Sequence, residues 1–460
     1  MFHSIRNRIS KEIDTLKKHF IQEENGLPFS DIFHEENIQQ IINEEVGEYR
    51  DRIYSPTTTL AAFVFQILNE DNSCQAAVER VRAEQVARGE VPCSSATGAY
   101  CKARDRLPEN LILRTMRNMG QSLHTKSLDT WKWKGHHVIL VDGTTVSMPD
   151  TEENQKLFPQ PSSQKPGLGF PIARLVGLIS LSSGALLNVA IGPYQGKKTG
   201  EHALLRKMRD TLSPGDILLA DRYYCSYFLI AILSAMGVDV VFQNHASRKT
   251  DFRRGKRLGK RDHLATWHKP VCPDWMDKAT YASLPETLTI REVKRNSQVI
   301  VTTLVNPSIT TRQEIIDLYS KRWNIEVDLK FIKEVLQMDI LCCKTPSMIR
   351  KEIAVHLLAY NFIRTIIAQA ACLYEINPRM VSFKGAIQSF HAFIDKILFL
   401  PERSSELIDA LLQGIASHRI GKRPGRCEPR AVKRRPKSFP RLKEPRKIAQ
   451  SRLMPYEVLA

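Results

Sequence analysis

VILVDGTT, residues 138–145, and ILLADRYY, residues 217–224, share one form: four consecutive apolar residues closed by an aspartate, Asp142 or Asp221. So short an apolar run reads as a strand buried on both faces, the kind found in an α/β sheet. The carboxyl ends of such strands are where open α/β sheets place their chemistry. One aspartate there often just caps the strand-to-turn transition. Two in apolar surroundings are harder to dismiss, because a buried, unpaired carboxylate is costly and needs a cation or hydrogen-bond donors.

The flanking sequence alternates strands and helices. RLVGLISL (174–181) and ALLNVAIG (185–192) flank Ser182-Ser183-Gly184, which predicts a β-hairpin. EHALLRKMRDTL (201–212) reads as a helix ended by Pro214-Gly215, CSYFLIAILSAMG (225–237) as a helix, and VDVVFQN (238–244) and VIVTTLVN (299–306) as strands. Residues from about 245 to 298 read as irregular and basic, with Trp267 and Trp275. Thr310 or Thr311 caps a long helix to about Met338, followed by helices over Ile349–Tyr374 and near 382–415. This pattern predicts a mixed α/β sheet with an insertion.

Residues 1 to about 130 read as helical. Thr57–Thr59 can cap the apolar run Leu60–Leu68, and a second helix spans Ser73–Ala87. In SSATGAYCKARDRLP (94–108), Ser94 or Ser95 is a good N-cap and Pro108 a stop, with Lys102, Arg104 and Arg106 exposed between them. A helix, a turn and a short basic helix are compatible with a helix-turn-helix DNA reader.

The chain has 460 residues, 67 Lys+Arg against 49 Asp+Glu, and a net charge of +18. With 42% hydrophobic residues, its composition is that of a folded globular chain and excludes collagen-like, mucin-like and disulfide-scaffold classes. The excess positive charge is concentrated. His418–Arg452 holds 14 Lys/Arg against Glu428 and Glu444, interrupted by five prolines, which suits an extended tail on phosphates and not an amphipathic membrane helix. Arg248–Arg261 holds eight basic residues, among them Arg253, Arg254, Lys256 and Arg257, against Asp251. With Gly255 and Gly259 it reads as a mobile loop. Two such patches point to a nucleic-acid footprint.

No membrane span is expected: Leu175–Lys197 is broken by polar residues, and Ile353–Tyr374 carries His356 and Arg364. The N-terminal stretch lacks the apolar centre of a secretory signal. The nine cysteines are odd in number with no CxxC, which fits reduced thiols and a cytoplasmic location.

A third acid comes from DLYSKRWNIEVDLKFIKEVL (317–336). At ~100° per residue with Tyr319 at zero, Arg322 falls near ~300°, Glu326 near ~340° and Lys333 near ~320°, one stripe beside the apolar face. Trp323 falls off the stripe and reads as packing. An ordinary salt-bridged helix flank, with Glu326 and Lys330 as an i,i+4 pair, has the same spacing.

Tyr319, Arg322, Glu326 and Lys333 fit the spacing Y-(2)-R-(3)-E-(6)-K. With VDGTT and LADRYY upstream, the chain from about 60 to 450 resembles the DDE transposases of bacterial insertion sequences, insertion-sequence-4 family. GAYCKARDRLP, TGEHALLR, DRYYCSYFL and RPGRCEPRAVKRRPK resemble it too. The resemblance implies a ribonuclease-H-like core in which Asp142, Asp221 and Glu326 are catalytic and hold two Mg²⁺ ions, for which Mn²⁺ can substitute. Three carboxylates suit hard, oxygen-ligated cations that stabilise both the entering and leaving oxygens of phosphodiester displacement. It also implies a largely β insert between Asp221 and Glu326, and DNA phosphate contacts from Tyr319, Arg322 and Lys333. Lys330, one turn before Lys333, joins them. Some relatives flip a base onto a Trp in the strand before the Glu helix; here that strand, VIVTTLVNP, has none. Trp267 or Trp275 could stand in for it, although insert residues more often pack a small core.

The expected organisation is a helical DNA-binding domain (1–130), a ribonuclease-H-like catalytic domain (131–345), a C-terminal helical region offering a dimer interface (346–417) and a basic tail (418–460). The expected function is a transposase acting on double-stranded DNA: it binds its element's inverted repeats, hydrolyses the ends and joins the 3′-hydroxyls to target DNA, as a homodimer in the synaptic complex. A Mg²⁺-dependent nuclease without strand transfer and a catalytically silent DNA-binding protein are the alternatives. His263, His268 and Cys272 lack an evident fourth ligand for zinc. Gly192, Gly196 and Gly200 form no phosphate-binding loop, so no nucleotide cofactor is expected.

Overall fold

Val138 and Leu140 point into one apolar core, and Ile139 and Val141 into another. Ile217 and Leu219 divide from Leu218 and Ala220 in the same way. These strands are thus buried on both faces, as their unbroken apolar runs require. The structure is a computed structural model that describes residues 35–49, 52–197, 199–421, 442–445 and 448–449. Most of the basic tail and the first 34 residues lie outside the described residues.

The strands form one mixed sheet in the order β3-β2-β1-β4-β5-β9-β8-β7-β6. Here β1 is Val138–Ser147, β2 Ile172–Ser180, β3 Leu186–Pro193, β4 Ile217–Ala220 and β5 Asp239–Gln243. The second half is β6 Lys256–Gly259, β7 Asp262–His268, β8 Thr287–Arg295 and β9 Gln298–Thr302. β1, β4 and β5 are parallel, while β2 and β3 run antiparallel on one side of them and β9 pairs antiparallel with β5 on the other. Ser182-Ser183-Gly184 makes the β2–β3 turn, with Gly184 at φ +79°.

The helices before the sheet are α1 Glu35–Val46, α2 Pro56–Leu68, α3 Cys74–Ala87, α4 Gly98–Arg106 and α5 Glu109–Thr125. Among and after the strands lie α6 Glu152–Leu157, α7 Glu201–Arg206, α8 Tyr227–Ala235, α9 Lys278–Ser283, α10 Arg312–Ser320 and α11 Trp323–Lys330, followed by α12 Pro346–Leu373, α13 Phe383–Phe399 and α14 Ser404–Ser417. One core joins α5, α10, α11 and α12 to the sheet, and the other joins α7 and α8 to its opposite face. α12 is long and apolar enough to cross a membrane, but 89% of its apolar window is buried inside the protein. Asn361 fastens it to the sheet: the side chain accepts from Leu186 N at 2.9 Å and donates to Leu186 O at 2.8 Å and Met116 O at 2.9 Å. Gly120 allows the close approach, since a Cβ there would lie 2.0 Å from Leu186 O.

Several local expectations change. The helix cap before Leu60–Leu68 is Ser55, whose hydroxyl accepts from Thr58 N, so the threonines lie inside the first turn. The short basic helix begins at Gly98, after Thr97, and not at Ser94 or Ser95. Arg104 is not exposed. Only 8% accessible, it stacks its guanidinium on Phe63 and Tyr100 and donates to Gln66 Oε1 at 3.3 Å. Lys102 and Arg106 are exposed.

The segment 245–298 is not irregular. Its strands extend the same sheet, and the basic stretch Lys256–Gly259 is an edge strand paired with β7 instead of a mobile loop. Trp267 is buried there and donates to Glu292 Oε1 at 3.2 Å; the same carboxylate meets His263 Nε2 at 3.0 Å. Trp275 is 40% exposed, with the Arg206 guanidinium 4.0 Å from its ring centre.

Candidate active site

Three neighbouring strands bring polar side chains to one level. β1 pairs with β4 through Val138–Ile217 and Leu140–Leu219, and β4 with β5 through Leu219–Val241 and Ala220–Phe242. Continuing both registers puts Asp142, Asp221 and Gln243 side by side. Side chains alternate along a strand, so all three share the face of Leu140, Leu219 and Val241, which the core with α10 and α11 covers. β1 does not stop at Asp142 as its sequence suggests. It runs on to Ser147 against β2, while its pairing with β4 ends at Leu140. Asp221 follows β4 directly and accepts from Tyr223 N at 2.8 Å, capping a single 3₁₀ turn.

The acidic helix is not one regular helix. Thr311 starts α10 with a capping box to Glu314. Between α10 and α11 the backbone bonds tighten to i→i−3, with Lys321 N to Leu318 O at 2.9 Å and Arg322 N to Tyr319 O at 3.1 Å. After Lys330 the turn widens to a π-turn over Phe331–Val335. A uniform ~100° step therefore fails on both sides of Glu326. The side chains still converge in part. Buried Tyr319 donates its hydroxyl to Gln243 Oε1 at 3.1 Å, and Arg322 donates to Glu326 Oε1 at 2.7 Å. Lys333 lies half-buried in the widened turn. Lys330 is exposed and pairs with Glu334 at 3.5 Å, so the expected Glu326–Lys330 pair gives way to Arg322–Glu326 and Lys330–Glu334. Trp323 is 50% exposed and not packed away.

A fourth acid stands here that the sequence reading left unassigned. Glu201, the first residue of α7, accepts from the Tyr224 hydroxyl at 3.1 Å and lies over Gly143. Gln243 was also missed, although VDVVFQ has the form of an apolar strand closed by a polar residue.

The charges are unbalanced. Burial pushes the Asp142 carboxyl up to about 6, and the nearby Asp221 and Glu201 add to it, against the Gly143 N–H and Arg322, which favour ionisation. Burial likewise raises Glu201. Burial pushes Tyr319 up to about 12, with Asp221 adding and Arg322 opposing. Burial penalises the charge of Arg322, but Glu326, Tyr319 and Asp142 together hold it above the ordinary arginine value.

The donors Asp142, Asp221, Glu201 and Glu326 are all oxygen ligands and share too little positive charge, which in kind suits a hard divalent cation. Among the described residues, no three of His, Cys, Asp and Glu stand close enough together to hold a metal ion. Glu326 faces Arg322 instead, and that guanidinium also acts on Asp142.

Of the remaining basic positions, Arg253, Arg254, Lys256 and Arg257 are exposed on the β6 edge, and Arg253 pairs with Asp251 at 3.0 Å. Charged edge strands also resist pairing with other sheets. Two cavities, of about 530 and 870 Å³, lie among the N-terminal helices and against the start of α12, and neither is lined by the acids.

Known proteins share this chain's pattern. The family described as "Transposase DDE domain" matches residues 133–362, half of the chain. "Transposase InsG for insertion sequence element IS4" of Escherichia coli (strain K12) is 28% identical over 355 residues, covering 75% of this chain and 78% of that protein. "Putative transposase InsZ" of the same organism is 29% identical over 147 residues, covering 31% and 47%. The matched span contains both strand-end aspartates and the helix of Tyr319, Arg322 and Glu326, and with these relatives the chain belongs to the DDE transposases, insertion-sequence-4 family.

Proposed function

We propose that this transposase binds the inverted-repeat ends of its own insertion sequence, cleaves the DNA there and joins the 3′-hydroxyl ends to target DNA. One observation carries the reading: Asp142 and Asp221 each stand two residues beyond the last pair, Leu140–Leu219, of adjacent parallel strands, and the helix bearing Tyr319, Arg322 and Glu326 packs on the face of Leu140 and Leu219. The strand order 3-2-1-4-5, with β2 and β3 antiparallel, supports a ribonuclease-H-like core.

Asp142, Asp221 and Glu326 would hold two Mg²⁺ ions, with Mn²⁺ able to substitute. When bound, such a pair stabilises the entering and leaving oxygens of in-line phosphodiester displacement. The protein's own side chains do the rest. Arg322 offers a planar fork that grips a phosphate through two N–H groups, Tyr319 a hydroxyl donor, and Lys333 and Lys330 point charges. A phosphate that takes Arg322 releases Glu326, whose carboxylate is then free to turn toward the aspartates. The exposed edge residues Arg253, Arg254, Lys256 and Arg257 follow the DNA backbone, and Lys102 and Arg106 contact DNA from the N-terminal helices. Arg104 supports that helix from within. Two ends must be joined, which calls for a homodimer in the synaptic complex, formed through the C-terminal helices, acting in the cytoplasm on the nucleoid.

The experiment is a plasmid assay with paired transposon ends and Mg²⁺. Integration supports the proposal. Cleavage without joining would favour a nuclease, and binding alone a silent DNA-binding protein.

A further inference from the structure

We propose that Tyr223, Arg206 and Trp275, with His202 between them, form a track that holds an unpaired DNA strand, running from the end of β4 to the segment between β7 and β8. The inference rests on the proposed function above and adds a surface that lies outside the acids and the helix of Tyr319, Arg322 and Glu326.

The track starts beside Asp221. Tyr223 is the second residue after it, and its side chain is 48% exposed. The turn that carries this ring is fixed at both ends: the Tyr223 N–H donates to Asp221 Oδ1 at 2.8 Å, and the Tyr223 carbonyl accepts from His202 Nε2 at 2.7 Å. The imidazole also lies against the phenol ring, with centres 5.0 Å apart. Arg206 follows His202 by one turn of α7, and its charge acts on that imidazole. The Arg206 guanidinium in turn stands 4.0 Å from the ring centre of Trp275. Trp275 is 40% exposed and meets Phe228 edge-on, with centres 6.1 Å apart, so it is anchored on α8 while part of the indole stays in water. Rings and a cation thus alternate away from Asp221, along the face that α7 and α8 cover.

Three properties select the occupant. Two large rings are held in place yet left half in water, and a stacked base would cover them, since every base has a π-face. Burial disfavours the charge of Arg206, and no carboxylate pairs with it among the described residues; a phosphate supplies the missing anion. Arg222, exposed directly after Asp221 and also without an acid partner among the described residues, adds a second phosphate donor. Bases inside a duplex stack on one another and hide their faces, so ring surfaces of this kind select an unpaired strand over a paired one.

The test compares the affinity of the full chain for oligothymidylate and for a blunt duplex of equal length, by fluorescence anisotropy, in the parent, Tyr223→Leu, Tyr223→Phe, Trp275→Leu and Arg206→Gln. Leucine keeps apolar contact and removes the ring face, and thermal melts confirm that each variant folds. Tyr223→Leu and Trp275→Leu are each expected to weaken oligothymidylate about tenfold with duplex affinity unchanged, while Tyr223→Phe binds as the parent does. Arg206→Gln is expected to lower the slope of log affinity against log salt by about 0.7 on the single strand, one phosphate contact. Tyr223→Leu and Arg206→Gln keep the test open if Trp275→Leu does not fold. Unchanged oligothymidylate binding in these variants, or an equal loss on both DNAs, overturns the track and leaves the proposed function standing. A parent that binds neither DNA overturns the DNA reading itself, and the track with it.

Discussion

Asp142 and Asp221 each stand two residues beyond Leu140–Leu219, the last pair of the parallel β1–β4 ladder. The ladder just before them keeps the two aspartates near each other. Their proximity is therefore a property of the fold.

That proximity has a stability signature. Burial, with Asp221 and Glu201 adding, raises Asp142 to about 6 from an ordinary 3.8. An acid with a raised folded value favours the folded state fully below its unfolded value and loses that contribution as pH rises through the folded one. Without divalent cations, Asp142→Asn should therefore be more stable than the parent at pH 8, by about 1–2 kcal/mol after solvent screening. The gain should vanish near pH 4 and shrink when Mg²⁺ is added at pH 8. Urea melts across this range check it; a variant less stable than the parent at pH 8 contradicts it.

Arg322 acts on both Glu326 and Asp142, the place in the charge balance that a metal ion would otherwise take. Arg322→Ala should move two affinities in opposite directions. Mn²⁺ binding without DNA should tighten, because Glu326 is released, while affinity for duplex DNA should fall. Mn²⁺ titration and fluorescence anisotropy on one preparation measure both, and a loss of both affinities would refute the competition.

Lys333 sits in the widened turn after α11, half-buried beyond Glu326. Lys333→Ala should weaken DNA binding and lower the slope of log affinity against log salt by about 0.9, one phosphate contact. Its melting temperature should match the parent's. A lower melting temperature with unchanged DNA affinity would make Lys333 a structural residue.

Much of the site could be read from the chain itself, for a local reason. Four apolar residues followed by an acid mark a strand and its end together, so Asp142 and Asp221 were visible. Gln243 and Glu201 were not, because their place depends on register with distant strands and on a helix arriving from the other face. The helical arithmetic brought Tyr319, Arg322 and Glu326 near one another but misplaced the pairs, since the backbone tightens before Glu326 and widens after it. Residues 245–298 looked irregular because an edge strand such as Lys256–Gly259 has no second buried face and no reason to be apolar. Arg104 looked like a surface residue because nothing local reveals the Phe63 and Tyr100 rings beneath its guanidinium.

Asp328, two residues beyond Glu326, is fully buried and takes Arg364 and Arg379, with Arg364 Nη2 at 2.5 Å and Arg379 Nη1 at 2.6 Å. Arg379 also donates to the carbonyls of Ser180 and Leu181, tying the acidic helix to the end of β2. Asp328→Ala strands the buried Arg364 guanidinium and removes the ion pair of the half-buried Arg379, and should destabilise the fold by about 3–5 kcal/mol. Chemical denaturation measures this, and a loss below about 1 kcal/mol would show that the network does not hold the helix.

The decisive measurement is Mg²⁺-dependent cleavage of a plasmid carrying this element's own ends, by the parent and by Asp142→Asn, Asp221→Asn and Glu326→Gln, with end binding followed in parallel. Each substitution should abolish cleavage while the DNA ends remain bound. Cleavage near the parent's rate by any one of the three variants would contradict a shared acidic centre at these strand ends.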